Sequence, residues 1–432
     1  MTTIHAYLRR AFGPSIVAFA VLLWTGALEA QVPAPPQERP VALTGGTIHT
    51  MAQGVIENGT IVFENGVITA VGSNVQIPAG AERVDITGRH VYPGLIDAFS
   101  TMGLTEIGGI TQAIDLNEMG TINPNVRAEV AVNPESRHIG VARSAGVLIT
   151  LTSPAGGLIS GLGAALMLDG WTWEEMTLKS GAALIVNWPS PANESQYARQ
   201  LGELRDAFAA ARAYQLAKRA AQQEQGLAHD TDYRWEAMIP VLEGEVPVVV
   251  SADGVTQIQD AITWAAEEGV RLVIRGGRDA GYLADHLAQR RIPVVLTSVV
   301  AAPGRPWEPY DQAYGLPARL HAAGVPFAIA GGAGAANANR LPFEAGAAIA
   351  FGLPEEEAVK AVTLYPARFL GIDDRVGSLE PGKEATLLIT TGNPLEYATE
   401  VEQAFIQGRK LDMADQHRQF FQKYMERVER GG

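Results

Sequence analysis

The chain changes its hydrophobic period three times. Across residues 41–89, short β-rich runs are separated by turn residues, and the runs at 61–63 and 67–71 flank Glu64-Asn65-Gly66. Asn and Gly both tolerate positive φ, so this spacing predicts a tight hairpin. Further turns are predicted at residues 78–80 and 87–88. A lone hairpin is marginally stable, so these strands need a partner. The other end of the chain supplies one. The turn Leu379-Glu380-Pro381-Gly382-Lys383 precedes an apolar strand at 385–389, and a further strand at 401–406 is closed by Gln407-Gly408-Arg409. Residues 41–90 and 371–410 are therefore expected to form one small β-sandwich domain around an inserted domain.

The inserted region, residues 91–370, alternates apolar strands with amphipathic helices. Val246, Val248, Val249 and Val250 make a strand; Val255, Ile258, Ile262 and Ala265 then recur at helical spacing; another apolar strand follows at 270–274. Strands apolar throughout, alternating with helices, predict a parallel sheet covered on its outer face, and the persistence of the rhythm predicts a TIM-like (β/α)8 barrel. The alanine-rich stretch 194–225 is expected to cover the barrel through Leu201, Leu204, Phe208 and Tyr214, packing against a partner being the alternative. Pro354 opens a helix whose first turn carries Glu355, Glu356 and Glu357, where negative charge suits unpaired amides. Residues 411–432 contain a polar terminal helix whose Phe420, Phe421, Tyr424 and Met425 are expected to dock on the chain itself, a partner surface being the alternative.

The extreme N-terminus reads differently. Arg9 and Arg10 precede an apolar run at 11–28 that ends at the small residue Ala30, the pattern of a secretory signal peptide over residues 1–30. A retained membrane anchor is the alternative reading, although Gly13, Pro14 and Ser15 interrupt the run. Pro33, Pro35, Pro36 and Pro40 then form a stiff leader over residues 31–40. The expectation is an exported protein, periplasmic or extracellular, with no stable membrane span after cleavage. The chain has no cysteine, which removes thiolate nucleophiles, thiolate-bound zinc and disulfides together. With 33 basic and 47 acidic residues the net charge is -14, which argues against a nucleic-acid partner.

Chemistry in such a barrel belongs at the C-terminal ends of the strands. The first strand reads Val91-Tyr92-Pro93-Gly94-Leu95-Ile96-Asp97-Ala98-Phe99-Ser100-Thr101. With Gly45-Gly46-Thr47-Ile48, the Asn65-Gly66 hairpin, the run at 361–368 and Gly377-Ser378-Leu379-Glu380-Pro381-Gly382-Lys383, this block resembles the amidohydrolase superfamily, in particular its exported imidazolonepropionase-like and prolidase-like group. The resemblance implies a metal site, but the positions it assigns to ligands are degenerate. A His-x-His pair is replaced by Phe99 and Thr101, and two later histidines by Ser251 and Gly276. Gly332 stands at the catalytic aspartate, and the strand expected to carry a bridging lysine, read at 182–187, contains none, Lys179 lying too early. Zinc, the cofactor of active relatives, needs three or four converging donors near 2 Å, which this set does not offer, so no cofactor is expected.

The residues alone leave other chemistry to weigh. Asp253 with Arg275 is the first pair to inspect, either as acid–base groups or as a buried salt bridge filling space left by lost metals. Asp97 reads as a structural acceptor beneath the mouth rather than an acid catalyst, and Glu106, Arg278 and Asp279 approach the same region. The histidines of the mature chain form no close pair in sequence. The glycine-rich loops at 153–163 and 331–334 lack a phosphate-loop ending; close backbone approach is their expected role, an amide-lined anion pocket the alternative. Two functions follow. One is a metal-free, non-catalytic protein that binds a small molecule or partners another subunit, as a homo-oligomer or with a catalytic amidohydrolase. The other is a hydrolase of carbon–nitrogen bonds other than ordinary peptide bonds, of the imidazolonepropionase-like or dipeptidase-like kind. Catalysis is left open between them.

Overall fold

The computed structural model describes residues 32–223, 229–332 and 334–431; the signal-like segment at 1–30 lies outside them. Among the described residues, no helix is long and apolar enough to cross a membrane. The strands are β1 (Val41–His49), β2 (Val55–Glu64), β3 (Val67–Gly72), β4 (Glu82–Asp85), β5 (His90–Pro93), β6 (Leu95–Ser100), β7 (Val147–Thr152), β8 (Ile159–Met167), β9 (Thr177–Asn187), β10 (Val248–Ala252), β11 (Leu272–Gly276), β12 (Val294–Leu296), β13 (Phe327–Ile329), β14 (Leu387–Thr390), β15 (Val401–Ile406) and β16 (Arg409–Lys410).

The two chain ends build one mixed sheet in the order β16-β15-β14-β5-β1-β2-β3, with β4 also on β1. Asn65 and Gly66 take φ of 51° and 81° in the turn between β2 and β3, as their residue types predict. The predicted sandwich arises within this single sheet, because β1 changes partner along its length. Residues Val41 to Thr44 run parallel to β4, whereas Thr47 and Ile48 run parallel to β5. The change falls at Gly46, where an added Cβ would stand 2.6 Å from Ile86 Cδ1. The bend encloses Leu43, Ile48, Ile61, Phe63, Ile68, Leu387 and Phe405 in one core. Phe63 from the N-terminal part meets Phe405 from the C-terminal part edge-on at 5.2 Å.

The remaining eight strands, β6 to β13, lie in chain order as a nearly closed (β/α)8-like barrel. One departs from the expected parallel run: β8 is antiparallel to both β7 and β9. Its flanking connections, residues 153–158 and 168–176, are too short for the dozen or more residues that a parallel crossover needs. Strand β9 also starts earlier than expected, so Lys179 lies inside it; its ammonium donates to the carbonyl of Leu370 at 2.8 Å.

No ladder joins β13 to β6 among the described residues. Closure comes instead from single bonds: the Ile96 N–H donates to Val362 O at 2.8 Å and the Ile329 N–H to Ala361 O at 3.0 Å. Helix Val255–Glu268 buries Ile258, Ile262 and Trp264 and stops at Gly269, whose φ of 63° suits a left-handed cap. Helix Glu194–Gln223 covers it through the buried Leu204 and Phe208, the latter edge-on to Trp264 at 5.0 Å. The terminal helix Gln416–Glu429 is capped by Asp415 but buries none of its own residues. Phe420, Phe421, Tyr424 and Met425 are exposed, contrary to the docking expected of them.

Candidate functional site

Ladder register decides which side chains meet at the barrel mouth. Asn187 pairs with Ser251 across β9 and β10, and Ser251 pairs with Arg275 across β10 and β11. Paired residues of parallel strands project to the same face, so these three form one row at the C-terminal ends of their strands. Phe99, near the end of β6, lies opposite them. The Arg275 guanidinium carbon sits 4.2 Å from the centroid of the Phe99 ring, a cation–π contact that joins the barrel's two sides.

Each position that the family resemblance assigned to a ligand or to the catalytic aspartate has a structural occupation. Phe99 is buried beneath the guanidinium. Thr101 accepts the Ala335 N–H at 3.1 Å through its hydroxyl oxygen. Ser251 accepts the Trp188 N–H at 3.3 Å, and its own hydroxyl lies 3.5 Å from Asn187 Oδ1. Gly276 has φ of 91°, and a Cβ there would fall 2.5 Å from Asp253 Oδ1, so the Asp253 carboxylate fills the room that a side chain at 276 would need. Gly332, just beyond β13, has φ of 101°, a backbone in which an aspartate would be strained. Among the described residues, no group of three or more histidine, aspartate or glutamate side chains could hold a metal ion. The donors actually present, two hydroxyls already engaged and one exposed carboxylate beside a cation, do not fit zinc.

The proposed buried pair is not one. Asp253 is exposed and accepts the Arg278 N–H at 3.4 Å, and no ion pair within 4.0 Å joins it to Arg275. Burial holds the Arg275 guanidinium below its ordinary pKa, while the field of Asp253 acts in the opposite direction. Arg278 and Asp279 approach the mouth from the next loop, but Asp279 is gripped at both oxygens by Arg305, at 3.0 and 2.7 Å.

Asp97 is the acceptor that the first strand suggested. Its Oδ1 takes the N–H groups of Gly331 at 3.1 Å and Phe99 at 3.3 Å. It thereby fastens β6 to the segment after β13, where the ladder is missing. Among the described residues Oδ2 has no hydrogen-bond partner, and the Thr150 hydroxyl, on the residue directly across the ladder, has none either. Burial pushes the Asp97 carboxyl up to about 7, against the two amide bonds that favour its charged form.

Several polar groups escaped sequence reasoning. Glu344 is buried and its Oε2 accepts the N–H groups of Val299 and Val300 at 2.8 and 2.7 Å, holding the loop after β12. A lone acid within the apolar run Leu341–Ala350 was the available signal. Asp169 joins Arg143 and Arg409 at 2.9 Å each, tying the barrel to β16. Its partners lie 26 and 240 residues away, so no local pattern marks it. His49 and His90, unpaired in sequence, meet at 3.0 Å because β5 lies beside β1. In the glycine-rich loop, Gly157 and Gly161 bring backbone close to Thr121 O and Val126 O, where a Cβ would stand at 2.8 and 2.7 Å; they serve close approach.

Comparison with known proteins agrees with this architecture. The model of the amidohydrolase family matches residues 255–411. An amidohydrolase of Thermotoga maritima MSB8 has a similar structure, with a TM-score of 0.79 and 28% identity over 86% of this chain and 99% of that one. The imidazolonepropionase of Stenotrophomonas maltophilia is 27% identical over 78% of this chain and 86% of its own length. The amidohydrolase tasK of Hapsidospora irregularis is 23% identical over 81% of this chain, which spans 39% of that protein. The barrel, the composite sheet and these likenesses together show that the chain carries the amidohydrolase-superfamily fold.

Proposed function

We propose that this is an exported, metal-independent amidohydrolase-fold protein whose barrel mouth binds a small molecule without turning it over. One observation carries the reading: at the mouth, the Arg275 cation rests on the Phe99 ring at 4.2 Å, with Phe99 standing where the family resemblance calls for a histidine ligand. A guanidinium there supplies positive charge without the vacant coordination position that activates water in a catalytic zinc site. The neighbouring groups do not replace that chemistry. Asp97 is buried and held by two backbone amides, and Asp253 is exposed beside Gly276 rather than set into the mouth.

The test is elemental analysis of the purified protein after exposure to zinc and removal of loosely held ions, together with assays on small amides, dipeptides and cyclic amides. The reading expects no stoichiometric metal, no turnover and no change in thermal stability with chelator. One equivalent of zinc, with amidase activity that disappears in chelator, would overturn it.

A second reading is a hydrolase of carbon–nitrogen bonds, supported by the likeness to imidazolonepropionase and to other amidohydrolases. It requires a ligand set completed by another subunit, a catalytic amidohydrolase or a second copy of this chain. Turnover that appears only when such a partner is added would favour it.

A further inference from the structure

We infer that the barrel mouth recognises a small organic monocarboxylate, with the Arg275 guanidinium as its anion partner; this rests on the small-molecule reading above and names the ligand class. The argument begins with an imbalance. Arg89, Arg143, Arg212, Arg305, Arg375 and Arg409, the other buried or half-buried arginines among the described residues, each meet a carboxylate: Glu402, Asp169, Glu268, Asp279, Glu384 and Asp169 respectively. Arg275 is half-buried, yet none of the described residues places an acceptor within hydrogen-bond or ion-pair reach of its guanidinium. A half-buried cation with five donors and no protein acceptor leaves its hydrogen bonds to solvent or to a ligand, and a carboxylate pairs with it more strongly than water does.

The geometry says which part of the guanidinium is free. The Phe99 ring centroid lies 4.2 Å from the guanidinium carbon, so the ring occupies one side of the cation and the N–H groups not turned to it are left for another partner. Such N–H groups are the fork that pairs with the two oxygens of a carboxylate. Beside it in the same row, Ser251 holds its hydroxyl only at the 3.5 Å limit from Asn187 Oδ1, so the hydroxyl is able to turn toward a bound oxygen. Asn187 is not available, since its amide donates to Gly157 O at 3.1 Å and Ser160 Oγ at 3.0 Å. Thr101, Asn187, Ser251, Arg275, Gly276 and Gly332 are all half-buried, so solvent reaches the row.

Charge selects among anions. The exposed Asp253 carboxylate borders the site through Gly276, and its field already bears on Arg275. Arg278, in the loop after β11, leans toward Asp279 at 3.9 Å. A single cation beside a fixed negative charge suits a monoanion and disfavours a dianion such as phosphate. The apolar ring beneath the cation favours an organic body on the carboxylate over a bare inorganic ion.

Saturation-transfer NMR with benzoate as probe tests this in the full chain, with acetate and inorganic phosphate as competitors. Wild-type protein is expected to saturate benzoate at millimolar concentration, with acetate displacing it and phosphate at least roughly tenfold less effective. Arg275→Met should weaken benzoate roughly tenfold or more, and Arg275→Lys, which keeps the charge but loses the fork, should weaken it by a smaller factor. Asp253→Asn should tighten it severalfold. Thermal melting establishes that each variant is folded, and Arg275→Lys carries the test if the methionine variant is not. Absence of any benzoate signal, equal binding by Arg275→Met, or phosphate outcompeting acetate overturns the inference. Binding and metal content are read separately: zinc with intact benzoate recognition sinks only the metal-free reading, and no zinc with no benzoate binding sinks only this one.

Discussion

Replacing Asp97 by asparagine should stabilise the protein at neutral pH and leave it nearly unchanged in mild acid. The carboxyl is fully buried, its Oδ2 has no hydrogen-bond partner among the described residues, and burial pushes its pKa up to about 7 from an ordinary 3.8. The native state therefore holds this proton more tightly than the unfolded chain does. Its contribution is fully present below about pH 4, declines between about 4 and 7, and is level above that. At about 1.36 kcal/mol per pH unit, the span is worth on the order of 4 kcal/mol. Asparagine keeps an oxygen for the N–H groups of Gly331 and Phe99 but cannot ionise, so it imitates the protonated acid at every pH. Urea unfolding followed by tryptophan fluorescence, on both proteins at pH 4, 5.5 and 7.5, gives the difference in stability directly. That difference should grow by about 3–4 kcal/mol in favour of Asp97→Asn from pH 4 to 7.5. A difference flat to within about 1 kcal/mol over this range would refute the reasoning, because it would mean that Asp97 is charged at no cost in the native state.

Other expectations test separate parts of the fold. Asp97→Ala, which leaves both amides without an acceptor at the open seam of the barrel, should be about 2–4 kcal/mol less stable than Asp97→Asn at pH 5 by the same urea assay. Asp169→Ala leaves Arg143 and Arg409 without their shared carboxylate, whose side chain is 1% exposed, and should cost about 3–5 kcal/mol in denaturant unfolding. His49 has its pKa lowered to about 4 by burial and by His90, so its contribution is present above about pH 6.5 and lost as pH falls toward 4. Because the ring is partly exposed, His49→Gln should flatten stability over that window by only about 1–2 kcal/mol, and nitrogen-detected NMR should find the ring neutral at pH 5.5. Phe421→Ser in the terminal helix should shift stability by no more than about 0.5 kcal/mol, since that helix buries none of its residues.

What could be read along the chain were features set by a few neighbouring residues. Asn65-Gly66 specified its turn because both residues accept positive φ, and the stretches around Val250 and Ile274 specified buried strands through uninterrupted apolar character. The block from Pro93 to Asp97 pointed to the barrel's first strand, and the residue types at Phe99, Ser251 and Gly276 pointed to a mouth poor in metal donors. The tertiary structure decided what depends on distant partners. The reversal of β8 follows from connection lengths on both sides of it, which an apolar pattern does not encode, since a buried strand looks the same in either direction. The terminal helix is amphipathic in sequence, yet among the described residues nothing buries its apolar side chains. At the mouth, ladder register placed Arg275 in the row of Ser251 and Asn187, and barrel closure laid it over a ring 176 residues earlier. The same closure set Asp97 against Gly331, and the pairing of β10 with β11 put the Asp253 carboxylate in the space at Gly276. Residue identity supplied the charges; only the register and the seam of the barrel determined which of them face each other.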